Sequence, residues 1–96
     1  MLRTGSNLVY HELIGLYVEV VSHLDPTLKG LSGIVVDETM NTLRIADYNR
    51  KKIVTVMKKG GLFIFTIPET GEKVFVDGNK IFGRPEDRLK KFERQK

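Results

Sequence analysis

From Tyr17 onward the apolar residues come in short clumps, "YVEVV", "SGIVV", "TLRIA", "KIVTVM", "LFIFTI" and "KVFV". They recur at intervals of about ten residues, the pattern of a small all-β sandwich or barrel, and predict six strands. The separators are turn formers: "DPTLKG" (25–30), "DETMN" (37–41), "DYNRK" (47–51), "KKGG" (58–61), "PETGE" (68–72) and "DGN" (77–79), the last a hairpin signal. Alternation within the clumps assigns faces. Leu43 and Ile45 lie opposite Arg44, Val18 and Val20 oppose Tyr17 and Glu19, and Phe63, Phe65 and Ile67 oppose Leu62 and Ile64. Because both sides of "LFIFTI" are apolar, this strand is expected to be covered twice, by the barrel interior and by a flanking helix.

Two helices are expected, one at each end. "NLVYHELIGL" opens on Asn7, a good N-cap, carries Leu8, Leu13 and Ile14 as an apolar stripe, and stops at Gly15. "RPEDRLKKFERQK" has Pro85 in its first turn, Glu86 and Asp87 at the positive end of the helix dipole, and Leu89 and Phe92 on one face. The chain thus reads as one domain: a helical segment over 1–16, a barrel over 17–82, and a C-terminal helix with a basic tail over 84–96.

Ninety-six residues suffice for one small core and not for a core plus a catalytic domain. With 41% hydrophobic and 29% charged residues the chain has the composition of a folded globule. It has no cysteine, so neither a disulfide framework nor a thiolate zinc site is available, and a reducing cytoplasm fits. No apolar run approaches the roughly 20 residues that span a bilayer, and "MLRTGSNLVY" lacks the apolar block of a signal peptide. The expectation is a cytoplasmic protein with no membrane contact.

Catalytic signals are weak. Asp37 and Glu38 are adjacent, so as strand residues they point to opposite faces, and as turn residues they cap backbone N–H groups; turn chemistry is the expected role. The competing reading makes them metal ligands of a nuclease. His11 and His23 have no partner at metal-ligand spacing. "KKGG" lacks the Ser or Thr of a phosphate-cradling loop and reads as a tight turn, with Gly60 and Gly61 supplying positive φ. No catalytic residue, metal set or cofactor is therefore expected in this chain.

Basic residues are more informative. Arg50, Lys51 and Lys52, then Lys58 and Lys59, bracket one predicted strand with no acid between them. Residues 84–96 add six basic residues against three acidic ones, including Arg84, Arg88, Lys90 and Lys91, and the whole chain carries +4. With Lys80, these cations either form a solvated face that protects sheet edges or contact the phosphates of an RNA. Tyr48, beside the first cluster, is a candidate for stacking on a base or an ordinary exposed turn residue.

The order of the pieces carries a resemblance. "HELIGL" (11–16), "GLSGIVVDETMNTLRI" (30–45), "FIFTIP" (63–68) and the segment 74–91 ending in "GRPEDRLKK" resemble the Sm-like protein subunit of archaeal ribonuclease P, related to the eukaryotic twenty-nine-kilodalton subunit. The resemblance covers residues 11–91. It implies a six-stranded antiparallel Sm-like barrel with helical ends, within a ribonucleoprotein that removes the 5′ leader from precursor tRNA. The RNA then carries the active site and its magnesium ions, and the protein is RNA-binding and non-catalytic. The implied partners are the ribonuclease P RNA with precursor tRNA, a small zinc-ribbon subunit that helps it support the RNA specificity domain, and the other protein subunits. For the zinc-ribbon partner the N-terminal segment offers Leu8, Val9, Tyr10 and Leu13, although Leu13 is equally suited to closing its own barrel. Arg84 and Arg88, one helical turn apart, suit either RNA backbone or a partner carboxylate. The alternative is a protein-interaction barrel that assembles into a ring; the leading reading expects a monomer when the chain is alone.

Overall fold

The structure is a computed structural model that describes residues 13–83. Residues 7–12 of the expected N-terminal helix and the whole 84–96 helix lie outside the described residues. Six strands form where the apolar clumps stand: β1 Tyr17–His23, β2 Ser32–Glu38, β3 Thr42–Asp47, β4 Lys52–Met57, β5 Gly61–Thr66 and β6 Lys73–Asp77. They make one antiparallel sheet in the order β4-β3-β2-β1-β5-β6. The fold is all-β, as the alternation requires.

One face of this sheet wraps the core. Val18 and Val20 (β1), Val35 (β2), Leu43 and Ile45 (β3), Val56 (β4), Phe63 and Phe65 (β5) and Val76 (β6) are all buried, the inward set that period-2 alternation selects. The Phe63 and Phe65 rings lie 6.2 Å apart and tilted at 49°, a favourable aromatic arrangement at the centre. Two register shifts bend the sheet around that core, one in β1 between Val20 and Ser22 and one in β2 between Val35 and Asp37. Each inserts a residue on one strand and tightens its twist.

The expected barrel is not closed by strand pairing. Among the described residues no ladder joins β4 to β6, the two edge strands. β6 ends early because the Asp77 carboxylate accepts from Asn79 N and turns the chain into a 3-10 helix, Gly78–Ile81, in place of the hairpin that "DGN" suggests. That helix lies against the turn after β4. A Cβ at Gly78 would collide with the Lys58 carbonyl, so only glycine permits this approach. The edges therefore meet through a turn and side chains.

Three other local expectations change. Residues 13–16 form a turn, with Leu16 N donating to Leu13 O at 3.1 Å and Gly15 at φ +91°, because Leu13 and Leu16 are both drawn into the core. "DPTLKG" holds a 3-10 helix, Pro26–Leu28, capped by Asp25. In "KKGG" only Gly60 has positive φ (+84°); Gly61 already belongs to β5. On β5, Leu62 and Ile64 are half-buried on the outer side, and the helix expected to cover them lies outside the described residues.

Candidate nucleic-acid interface

The ten cations expected to meet RNA divide into three groups. Arg84, Arg88, Lys90 and Lys91 lie outside the described residues, as do Leu8, Val9 and Tyr10 of the expected partner face. Arg50, Lys51, Lys52, Lys59 and Lys80 are exposed. Lys58 is not.

Lys58 is a correction to the sequence reading. It follows Val54 and Val56 at the inward parity of β4, and its side chain is fully buried, as is that of Glu38. Its ammonium donates to Glu38 Oε2 at 2.7 Å, to Thr39 O at 2.8 Å and to Gly83 O at 2.9 Å. A charge taken out of water must find partners of this kind, and one that has them cannot also meet a phosphate. The other oxygen of Glu38 accepts from Leu13 N at 3.4 Å. One buried ion pair thus ties together the point where the described chain begins, the β2–β3 turn and the point where it ends.

Leu13 is the second correction. It is wholly buried in the chain's own core, so it closes the sheet and offers no surface to a partner. Asp37 points the other way, exposed, with its carboxylate accepting from Glu38 N at 2.9 Å. The pair therefore splits between the two faces of β2, and Glu38, read from sequence as a turn carboxylate, is an interior anchor. This occupation removes it as a metal ligand. Among the described residues no three His, Asp or Glu side chains are placed to hold a metal ion. The turn itself is built by its threonines: Thr42 N donates to Thr39 Oγ1 at 3.0 Å, and Thr39 N to Thr42 O at 3.0 Å.

At the other end of β4 stands the β3–β4 turn. β4 has six residues, so at about 3.3 Å per residue its two ends are roughly 17 Å apart. Asp47, last residue of β3, continues the inward parity of Leu43 and Ile45 and is nearly buried. Its Oδ1 accepts from Asn49 N at 2.9 Å and Arg50 N at 3.2 Å, while Oδ2 pairs with Arg50 Nε at 3.2 Å. Arg50 Nη2 also donates to Thr27 O at 3.4 Å, which fastens this turn to the β1–β2 loop. Tyr48 and Lys51 on the turn, and Lys52 where β4 begins, are exposed.

That β1–β2 loop is fixed in turn. Asp25 accepts from Thr27 Oγ1 at 2.7 Å and Thr27 N at 3.0 Å, and these hydrogen bonds hold its pKa below the ordinary aspartate value. His23 Nδ1 accepts from Asp25 N at 2.9 Å, which leaves its proton on Nε2, 2.8 Å from Met57 O. His23 is a bracket between β1 and β4. Lys59 and Lys80 are exposed next to the place where Gly78 packs on the Lys58 carbonyl, one and two positions away in sequence.

The outer face of the sheet holds a feature that sequence alone did not reveal. Register places Ile53 beside Ala46, Ala46 beside Ile34, and Ile34 beside Tyr17. Four strands thus contribute one apolar row, with Ile53 and Tyr17 half exposed. Only the pairing aligns these four residues.

Comparison with known proteins bears on the whole chain. The family model described as Ribonuclease P/MRP, subunit p29, matches residues 6–91. Ribonuclease P protein component 1 of Staphylothermus marinus is 47% identical over 94 residues, covering 98% of this chain and 100% of the relative. The protein of the same description from Methanosphaera stadtmanae is 44% identical, covering 92% of this chain and 91% of its own length. A solved structure, of Mth11, described as a homologue of human RNase P protein Rpp29, superposes with a TM-score of 0.59 at 45% identity, covering 81% of this chain and 97% of that one.

Proposed function

The chain belongs to the ribonuclease P/MRP p29 subunit family, and from that premise we propose that it is an RNA-binding, non-catalytic scaffold within the tRNA-processing ribonuclease. In this reading the RNA performs the hydrolysis with its magnesium ions, and the protein supports the specificity domain of that RNA. The observation that carries it is the β3–β4 turn, braced by the buried Asp47 carboxylate and followed by exposed cations. Positive charge on a fixed frame gives sequence-independent, salt-sensitive affinity for a phosphate backbone. The turn needs no reorganisation to offer it.

A zinc-ribbon protein subunit is the proposed protein partner. The outer row Ile53, Ala46, Ile34 and Tyr17 supports this, because it is apolar, continuous and starts where the N-terminal segment meets β1. A second reading, a ring assembled through sheet edges, draws on β4 and β6, which no ladder pairs among the described residues. Light scattering separates the two, since the scaffold reading expects a monomer when the chain is alone.

The decisive test is reconstitution. The chain, with the zinc-ribbon subunit, is expected to bind the specificity domain and to raise precursor-tRNA cleavage by the RNA and the remaining subunits. Absence of both effects at every magnesium concentration contradicts the proposal.

A further inference from the structure

The turn after β3 is more tightly built than charge display requires. Asp47 is 3% exposed, and its carboxylate holds two successive backbone N–H groups and the Arg50 guanidinium. Arg50 joins the turn to the carbonyl of Thr27 on the neighbouring loop. Lys51 completes the bend at φ +55°, the one non-glycine with positive φ among the described residues. A lysine held in that conformation costs of order 1 kcal/mol, so the surrounding contacts must determine the turn's shape.

On this frame Tyr48 is 76% exposed. Arg50, Lys51 and Lys52, all exposed, follow it within four positions. An exposed aromatic ring within four residues of exposed cations matches an unpaired nucleotide: every base has a π-face to stack, and its flanking phosphates take the cations. A base-paired stretch does not fit, because its bases are already stacked on one another. An acidic peptide would use the cations and leave the ring unexplained.

We propose that Tyr48 is a nucleobase-stacking site, its ring lying on an unpaired base of RNA while Lys51 and Lys52 engage the adjoining phosphates. The site rests on the RNA-binding reading above and gives that surface a specific chemistry. Asp47 is its positioning residue, acting through the shape of the turn.

The test compares the full chain with Tyr48→Ala, Tyr48→Phe and the pair Lys51→Gln, Lys52→Gln, each titrated with ribonuclease P RNA and with a single-stranded oligonucleotide across a salt series. Tyr48→Ala is expected to weaken binding roughly tenfold at an unchanged salt slope, since stacking carries no counterion release. Tyr48→Phe keeps the ring and is expected to bind like the native chain. The lysine pair is expected to lower the slope. Native affinity in Tyr48→Ala, alongside a lowered slope in the lysine pair, overturns the stacking site and leaves RNA binding standing. Equal losses in Tyr48→Ala and Tyr48→Phe assign the effect to the hydroxyl and also overturn it. No RNA binding by the native chain removes both readings.

Discussion

Glu38 and Asp47 end adjacent strands, both turn their carboxylates inward, and each takes a cation, yet the two ends of the molecule they organise differ in kind. Glu38 buries its partner completely: both side chains of the Glu38–Lys58 pair have no exposure. Asp47 is just as sheltered, but its partner Arg50 stays 39% exposed, and the rest of its capacity goes to backbone N–H groups. The first arrangement spends a positive charge on holding together the two ends of the described residues, at Leu13 and Gly83. The second spends a negative charge on holding a cationic turn open to solvent. Lysines in very similar sequence contexts, "RKK" and "KK", therefore have unrelated roles, decided by which way the strand's alternation points each one.

The largest expected effect comes from breaking the buried end. Lys58→Met leaves Glu38 without its cation and is expected to cost about 3–5 kcal/mol, read from urea unfolding. The double variant Glu38→Leu, Lys58→Met removes both charges and is expected to recover most of that loss. A single variant that unfolds like the native chain would mean the pair contributes nothing there.

At the open end, Asp47→Ala frees two backbone N–H groups and the Arg50 guanidinium, in a setting that water can reach. The expected loss is about 1–2 kcal/mol, of the size seen for lost capping residues, with a rise in amide exchange at Asn49 and Arg50. Protection that stays as in the native chain would show that the turn is held by something other than Asp47.

Asp25 supplies the smallest effect. Its folded pKa is lowered by the hydrogen bonds from Thr27, so its contribution is fully present above the ordinary aspartate pKa and fades as pH falls through the lowered folded value. Acid titration of the native chain should therefore show a slightly steeper loss of stability than that of Asp25→Asn. Identical curves would deny the linkage.

Much of this contrast could be read from the sequence, and some could not. The strands followed from period-2 apolar alternation, which no local bend disturbs in β3 or β5. Continued past the last valine of β4, the same alternation places Lys58 inside with Val54 and Val56, a signal outweighed by its setting beside Lys59 and two glycines. Asp47 likewise continues the row of Leu43 and Ile45. Glu38 was not legible in this way, because the bulge between Val35 and Asp37 shifts the parity of β2 and turns an expected outward position inward. Sheet closure was also beyond reach, since it depends on a glycine at 78 approaching a carbonyl twenty residues earlier. Family membership covers residues 6–91 without distinguishing these roles; only geometry separates an exposed cation from an interior anchor.

That separation is the central claim, and one measurement tests it directly: the salt dependence of binding to the ribonuclease P RNA specificity domain for Lys51→Gln with Lys52→Gln, set against Lys58→Met, each at a temperature where the protein is folded. The account predicts a fall in the slope of log affinity against log salt of about 0.7–0.9 per lost contact for the first pair, with native unfolding, and a native slope for the destabilised Lys58→Met. A lowered slope in Lys58→Met, with no change in the Lys51 and Lys52 pair, would contradict it.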